Sequence, residues 1–522
     1  MEGSNISTKK EEREIVHYPE GIISVLKELG YVKLLATSKA TSCLKELGEL
    51  CSVEDDIRDA LSTAIGISVT GCRVGVFCKD HELEKALDIL YSMAITGVRG
   101  SLLICVIRTH RRMADPRIIT EATWIPLLEP LSLDSVIDYI RAGTELSEVI
   151  ETPFMISLPY MRFRTIKKAP INGIKVPPIF SKHWEIRYRW IPNEDHYDRV
   201  ALLLKIYKRL MVKFEFNKVE DIKDKTIIAF GLLYDFARNL LEERGLRSEV
   251  SLIGISLYVP RRSMPRAIDL MNIDNCKTII VLEHGLPFIK SWIEEHTSKE
   301  AKIVDSTMLK EKRIAYRTWM SAFWLLARGL DQMERDLEEY IRRVYAISPE
   351  RSLPLSNGIL LVGELISKIA KQLKRKLTLV IGDGEIVEDL IDYIVISKAK
   401  PDYSVVTMRY PITIPLDAFD ISIAGSNPFK VAEGVLHTNI EAFVVVVARG
   451  ASLIKYHNDV KKGTIPLIVT VAKDNLRDVQ RLLQKVYDVK VVDKKNVENV
   501  AKEIVKWYKK GGKTPVAIIL DV

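Results

Sequence analysis

The stretch AIGISVTGCRVGVFCKDHELEKALDILYSMAITGVRGSLLICVI, residues 64–107, decides the fold. Residues 73–78 and 101–107 are short, nearly uninterrupted apolar runs, whereas 57–70 and 81–96 are longer and amphipathic. Short apolar runs alternating with amphipathic helices predict strands buried on both faces, hence a parallel sheet covered by helices. WIPLLEP at 124–130 and ETPFMISLP at 151–159 continue the alternation, and Arg108–Arg112 forms a basic loop at the end of the second strand.

The rest of the 522 residues fits a multi-domain α/β protein of about three domains, since single cores stop growing near ~250 residues. The hydrophobic fraction is 47% and the charged fraction 28%, ordinary for a globular chain. No window holds the ~20 apolar residues of a membrane span, and the start MEGSNISTKKEERE lacks a signal-peptide apolar region, so a cytoplasmic location is expected. The net charge of +8, from 77 basic and 69 acidic residues, is spread along the chain, which gives no basis for nucleic-acid or membrane binding. Only four glutamines accompany the abundant Lys, Arg and Glu, a composition that leans towards a thermophile.

Cysteine spacing excludes one class of chemistry. Cys43, Cys51, Cys72, Cys78, Cys105 and Cys276 contain no CxxC pair, so neither a zinc ribbon nor an iron–sulfur cluster is expected. The nine histidines show no HxxxH or HxH spacing, and there is no GxSxG elbow. The aromatic and basic stretch KHWEIRY, residues 182–188, reads as packing in an inter-domain bridge rather than as a base-stacking surface.

Further along, strands are predicted at 33–37, 225–230, 251–257, 277–282, 377–380 and 490–492. Helices are predicted at 197–213, 233–243, 264–270, 286–296, 311–347 and 476–486. A Pro/Gly-rich linker occupies 167–178.

The TGVRGSLLICV turn-strand, the LEP element and the order of elements around them resemble the pyrimidine-binding domain of 2-oxoacid:ferredoxin oxidoreductases. The chain is similar in particular to the α subunit of indolepyruvate ferredoxin oxidoreductase. The resemblance implies three Rossmann-like domains of the thiamine-diphosphate-binding fold, with mainly parallel sheets flanked by helices. Residues 1–166 would form the pyrimidine-binding-like domain and 167–215 a linker and bridging helix. A transketolase C-terminal-like domain would follow at 216–310, a connecting helix at 311–347, and a diphosphate-binding-like domain at 348–522. No counterpart of the relatives' C-terminal ferredoxin module is expected. The implied reaction is thiamine-dependent oxidative decarboxylation of a 2-oxoacid, with ferredoxin as electron acceptor.

The resemblance also implies where cofactor groups should stand, and several positions differ. The glutamate that activates the thiamine ring falls at Ile57, which cannot exchange a proton; Glu54–Asp56 reads instead as a helix start. In EAFVVVVARGASLIKYH the family's Gly-Asp-Ser becomes Gly450, Ala451 and Ser452, so the anionic Mg²⁺ ligand is missing. Asp474-Asn475 matches the terminal Asp-Asn of the next strand, keeping Asn475 at a metal-ligand position. Gly425 lies in the stretch 420–434, which matches another cofactor-lining segment. Ser38–Ser42 replaces a proline- and glycine-containing loop, and the family's acidic loop has become Arg108-Thr109-His110-Arg111-Arg112. Arg108, His110, Arg111 and Arg112 could form an anion site or a solvated basic loop. Gly382–Gly384 reads as a strand-to-helix turn, with phosphate binding as the other reading.

These differences predict a degenerate, non-catalytic or partner-dependent paralogue with no catalytic residue of its own and no bound cofactor. The alternative is an active thiamine diphosphate and Mg²⁺ enzyme subunit completed by a partner chain. Expected partners are a β-type oxidoreductase subunit carrying the γ domain, or a second copy, with ferredoxin in the assembled complex.

Overall fold

The computed structural model describes residues 14–37, 50–108, 115–159, 165–168, 194–243, 245–265, 271, 273, 276–283, 286–296, 302–305, 357–373, 378–382, 404–407, 427–438, 443–471, 476–492, 496–512 and 514–520. The first part runs β1 (Glu14–His17), α1 (Tyr18–Glu28), β2 (Tyr31–Thr37), β3 (Cys51–Glu54), α2 (Ile57–Val69), β4 (Arg73–Lys79), α3 (Leu87–Thr96) and β5 (Leu102–Arg108). It continues with α4 (Pro116–Thr123), β6 (Leu127–Leu128), α5 (Val136–Ile150), β7 (Phe154–Pro159) and β8 (Thr165–Lys168). The middle contains α6 (Glu194–Lys213), β9 (Lys225–Phe230), α7 (Leu233–Glu243), β10 (Val250–Ile255), β11 (Leu257–Tyr258), β12 (Thr278–Leu282), α8 (Phe288–His296) and β13 (Lys302–Asp305). The last part contains α9 (Asn357–Leu373), β14 (Thr378–Gly382), β15 (Ser404–Thr407), α10 (Pro428–Leu436), β16 (Phe443–Arg449), α11 (Gly450–Lys455) and α12 (His457–Lys462). It ends with β17 (Leu467–Val471), α13 (Leu476–Leu483), β18 (Asp488–Val492), α14 (Val497–Lys509) and β19 (Val516–Leu520).

Three mainly parallel sheets follow from the alternation. The first orders its strands β11-β6-β7-β5-β4-β2-β3, the second β10-β9-β12-β13, and the third β15-β14-β16-β17-β19-β18. Only β11, paired with β6, runs antiparallel within them. A separate antiparallel ribbon joins β1 to β8. The α/β class and the parallel sheets expected from residues 64–107 are therefore present.

Strand β16 shows why its apolar run is unbroken. Phe443, Val445 and Val447 face a core shared with α9 and α14, while Val444, Val446 and Ala448 face the larger core that also contains the first two sheets. Alternate side chains leave opposite faces of a strand, so a sheet covered on both sides needs apolar residues at every position. Local chemistry sets the helix starts. Asp115 caps α4 and Asn427 caps α10, and in both cases proline follows the cap, where a missing N–H costs nothing. Gly71, at φ +86°, closes the turn after α2 in the left-handed region that favours glycine.

Some expected elements differ. The helix expected over 81–96 splits into a 3-10 segment, Asp80–Ala86, followed by α3. Glu82 turns back in that segment and accepts hydrogen bonds from the Lys79 N–H and the Thr37 hydroxyl, both at 2.8 Å. The strand expected over 251–257 bends at Ser256, whose N–H and hydroxyl donate to Asn217 Oδ1, and β11 crosses to the first sheet. Lys167 and Lys168, read as linker, belong to β8. The helix expected from residue 286 begins at Phe288, and the one expected to reach 486 ends at Leu483. The helices predicted at 264–270 and 311–347, apart from Met264 and Pro265, lie outside the described residues, as does the linker from 169 to 178. No helix among the described residues is long and apolar enough to cross a membrane.

Candidate functional site

The first of the positions singled out in the sequence is the start of α2. Asp56 is its N-cap and accepts hydrogen bonds from the Arg58 and Asp59 N–H groups at 2.8 and 3.0 Å. That arrangement fixes Ile57 as the first helical residue and points it into the core, where it is 1% exposed. Asp56 is spent on capping. Glu54, at the end of β3, turns the other way and receives a hydrogen bond from Lys430 Nζ at 2.6 Å. Both side chains of that pair are buried.

Lys430 belongs to α10, so the pair joins the first sheet to the third. The two helices behind it cross at unusually close range. A Cβ on Gly66 would stand far inside van der Waals distance of the Val431 carbonyl, and one on Gly434 likewise against the Thr63 carbonyl. Each glycine thus admits the other helix's backbone. Around the crossing, Asn427 N–H donates to Ser62 Oγ at 3.0 Å. The Asn427 carboxamide reaches Asp59 on α2 and Asp459 on α12. Arg58 turns outward to a bidentate pair with Asp88.

On the third sheet, Gly450 is buried at the start of α11, Ala451 is exposed and Ser452 half-buried. The helix has only six residues, and its cap, Arg449, makes no side-chain capping bond. Gly425, Asp474, Asn475, Gly384 and Asp383 lie outside the described residues, while Gly382 ends β14.

Arg108 departs from its expected place in a basic loop. It is the last residue of β5, 6% exposed, with Glu129 at 3.3 Å and Asp80 at 3.9 Å. A guanidinium so enclosed needs carboxylate company, and these acids supply it. Thr109, His110, Arg111 and Arg112 lie outside the described residues, as does the loop 38–42.

A second buried centre joins the first sheet to the second. Arg117, fully buried on α4, pairs with Asp115 at 2.7 Å and with Glu283 after β12, and donates to the Leu286 carbonyl at 2.8 Å. Phe230, Tyr258 and Phe288 surround its guanidinium at 5.2, 5.9 and 5.2 Å from their ring centres. Burial works against the Arg117 charge, but Asp115 and Glu283 outweigh it and hold the group protonated. Glu283 also accepts from the Ile289 and Lys290 N–H groups at the start of α8. Burial nonetheless leaves its pKa above the ordinary carboxylate value.

Sequence reasoning placed the first helical residue of α2 at position 57, because a capping aspartate is a local signal, but of Glu54–Asp56, read together as the helix start, Glu54 ends β3 instead. It also placed Glu283 at a strand end. It missed Lys430, Asn427 and Asp459, whose partners are far away in the chain. The described residues contain no group of three or more metal-binding side chains, and their five cysteines are free thiols.

No protein-family model matches the chain. It is 28% identical over 244 residues to an indolepyruvate oxidoreductase subunit IorA of Archaeoglobus fulgidus, covering 44% of this chain and 38% of that one. The IorA subunit of Methanothermobacter marburgensis is 27% identical over 215 residues, 38% of this chain and 34% of the relative. The chain is a distant homologue of IorA subunits. It spans between a third and two fifths of the length of these relatives. Among solved structures, it is similar to a 2-oxoglutarate:ferredoxin oxidoreductase of Magnetococcus marinus. There the TM-score is 0.44 at 14% identity, covering 56% of this chain and 62% of the other. A thiamine diphosphate-dependent 4-hydroxybenzoylformate decarboxylase of Rhodococcus jostii gives a TM-score of 0.46 at 11% identity, with 97% and 99% covered.

Proposed function

We propose that this chain is a non-catalytic paralogue of an indolepyruvate-type oxidoreductase α subunit, one that keeps the scaffold and acts through contacts with a partner subunit. The observation that carries the reading is Ile57, a buried hydrocarbon where the family resemblance requires a proton-exchanging carboxyl group. Nearby acids do not replace it: Asp56 caps the helix and Glu54 is bound to Lys430. The methyl group of Ala451 offers no oxygen to a hard cation. These residues do not fit thiamine diphosphate and its Mg²⁺, and no catalytic step is assigned through them. A β-type oxidoreductase subunit is the favoured partner, with ferredoxin in the assembled complex and the cytoplasm as its place.

Calorimetric titration of thiamine diphosphate with Mg²⁺, with and without a co-purified partner, tests this. The protein alone should give no saturable heat and no decarboxylation of indolepyruvate or pyruvate with a viologen acceptor. Ala451→Asp should recover Mg²⁺-dependent binding if the diphosphate turn is intact, and turnover should additionally require Ile57→Glu. Decarboxylation by the unmodified chain alone would overturn the reading.

A further inference from the structure

Where α2, α10 and α12 meet, one carboxamide holds two carboxylates. Asn427 Nδ2 donates to Asp459 Oδ2 at 2.8 Å and to Asp59 Oδ1 at 3.3 Å. Its Oδ1 is occupied by the Phe429 N–H at 3.1 Å, which fixes the orientation of the amide. The two acids therefore share one nitrogen and stand near each other in a half-buried site.

Of the cations around them, only Lys462 is given to one of the two acids, Asp459. Lys430, on α10, binds Glu54 at 2.6 Å and Glu433 at 3.3 Å; Arg58 binds Asp88; Lys462 sits on Asp459 at 3.0 Å. Asp56, on the same helix start, adds another negative charge, and among the described residues no cation pairs with Asp59. Like charges at close range disfavour the doubly ionised state.

We propose that this junction is a proton-linked latch: uptake of one proton by Asp59 removes its repulsion with Asp459 and Asp56 and tightens α10 on α2, and with it the third sheet on the first. The electrostatics agree in sign. Burial, with the charges of Asp56 and Asp459, pushes Asp59 up to about 6 from its ordinary 3.8, against the opposing pull of Asn427 and Lys430. The closed junction thus binds more protons than the open one between those values. Closure is favoured as pH falls below about 6, is lost as pH rises towards that value, and changes little above it. This inference stands whether or not the chain is catalytic.

Thermal unfolding of the full chain and of Asp59→Asn, measured from pH 5 to 8, tests the latch. Relative to the variant, wild type should lose a few degrees of Tm on going from pH 5 to 7.5, most of it below about pH 6, with the difference levelling off above that value. Asp459→Asn should shrink the same dependence in part, since burial and Asp56 still act on Asp59. Amide exchange on wild type supplies a readout independent of any variant: protection of α10, corrected for the intrinsic rate, should rise at acidic pH while that of α14 stays level. Parallel pH profiles for wild type and both variants, or α10 protection that does not change, would overturn the proposal.

Discussion

Lys430 is a lysine with almost no water around it. Burial alone would lower its pKa, but the hydrogen bond to Glu54 and the charges of Glu54, Glu433 and Asp459 reverse the direction. A raised lysine contributes stability throughout neutral pH and loses it only in strong alkali. Removing one partner is the costly change, because it strands the other charge. Lys430→Met should destabilise by about 3–5 kcal/mol, since Glu54 would remain buried and uncompensated. The double variant Glu54→Gln/Lys430→Met should recover part of the loss, giving a coupling of about 1 kcal/mol or more in chemical denaturation. Simple additivity would show that the pair does not interact energetically. None of this was legible in the sequence, because 376 positions separate the partners. By contrast, the Asp56 cap and the first helical position of Ile57 were legible: their bonds reach only two and three residues along the chain.

At the scale of elements, the crossing of α2 and α10 inverts a familiar sign. Replacing glycine by alanine inside a helix ordinarily gains roughly 0.5–1 kcal/mol, because the backbone loses less freedom on folding. At Gly66 and Gly434 the added methyl meets a carbonyl of the opposite helix instead. Each Gly→Ala change should therefore destabilise by about 1–3 kcal/mol, the cost of overpacking, with far-UV circular dichroism retained. A rise in Tm for either variant would mean that the helices do not meet through these glycines. The elements themselves were largely readable, since apolar runs such as 225–230 and amphipathic runs such as 233–243 carry their own period. Which helix crosses which was not. Nor was β11, where a bend held by Ser256 and Asn217 carries two residues from one sheet to another. That bend depends on a side chain 39 residues away, which no local period records.

At the scale of the molecule, two buried polar centres among the described residues link the three sheets across their shared apolar core. The Glu54–Lys430 pair and its neighbours attach the third sheet to the first, and Arg117 attaches the second. Arg117 concentrates more in one side chain: Asp115 from its own helix start, Glu283 and Leu286 from the second sheet's unit, and three aromatic rings. Glu283 in turn caps α8, so the same charge network orients the helix that packs against β13. Arg117→Met keeps much of the side-chain volume within the rings but leaves Asp115 and Glu283 buried without their cation. The expected loss is about 3–5 kcal/mol, as for a broken buried pair. It should fall mainly on the second sheet. Hydrogen exchange should speed up in β9, β12 and α8, while α14, on the far side of the third sheet, keeps its protection. Arg117→Lys should rescue only in part, because an ammonium cannot make the fork of bonds to Asp115, Glu283 and the Leu286 carbonyl at once. Full rescue by lysine would reduce Arg117 to a point charge. Exchange that quickens equally in all three sheets would mean that the molecule opens as a single unit.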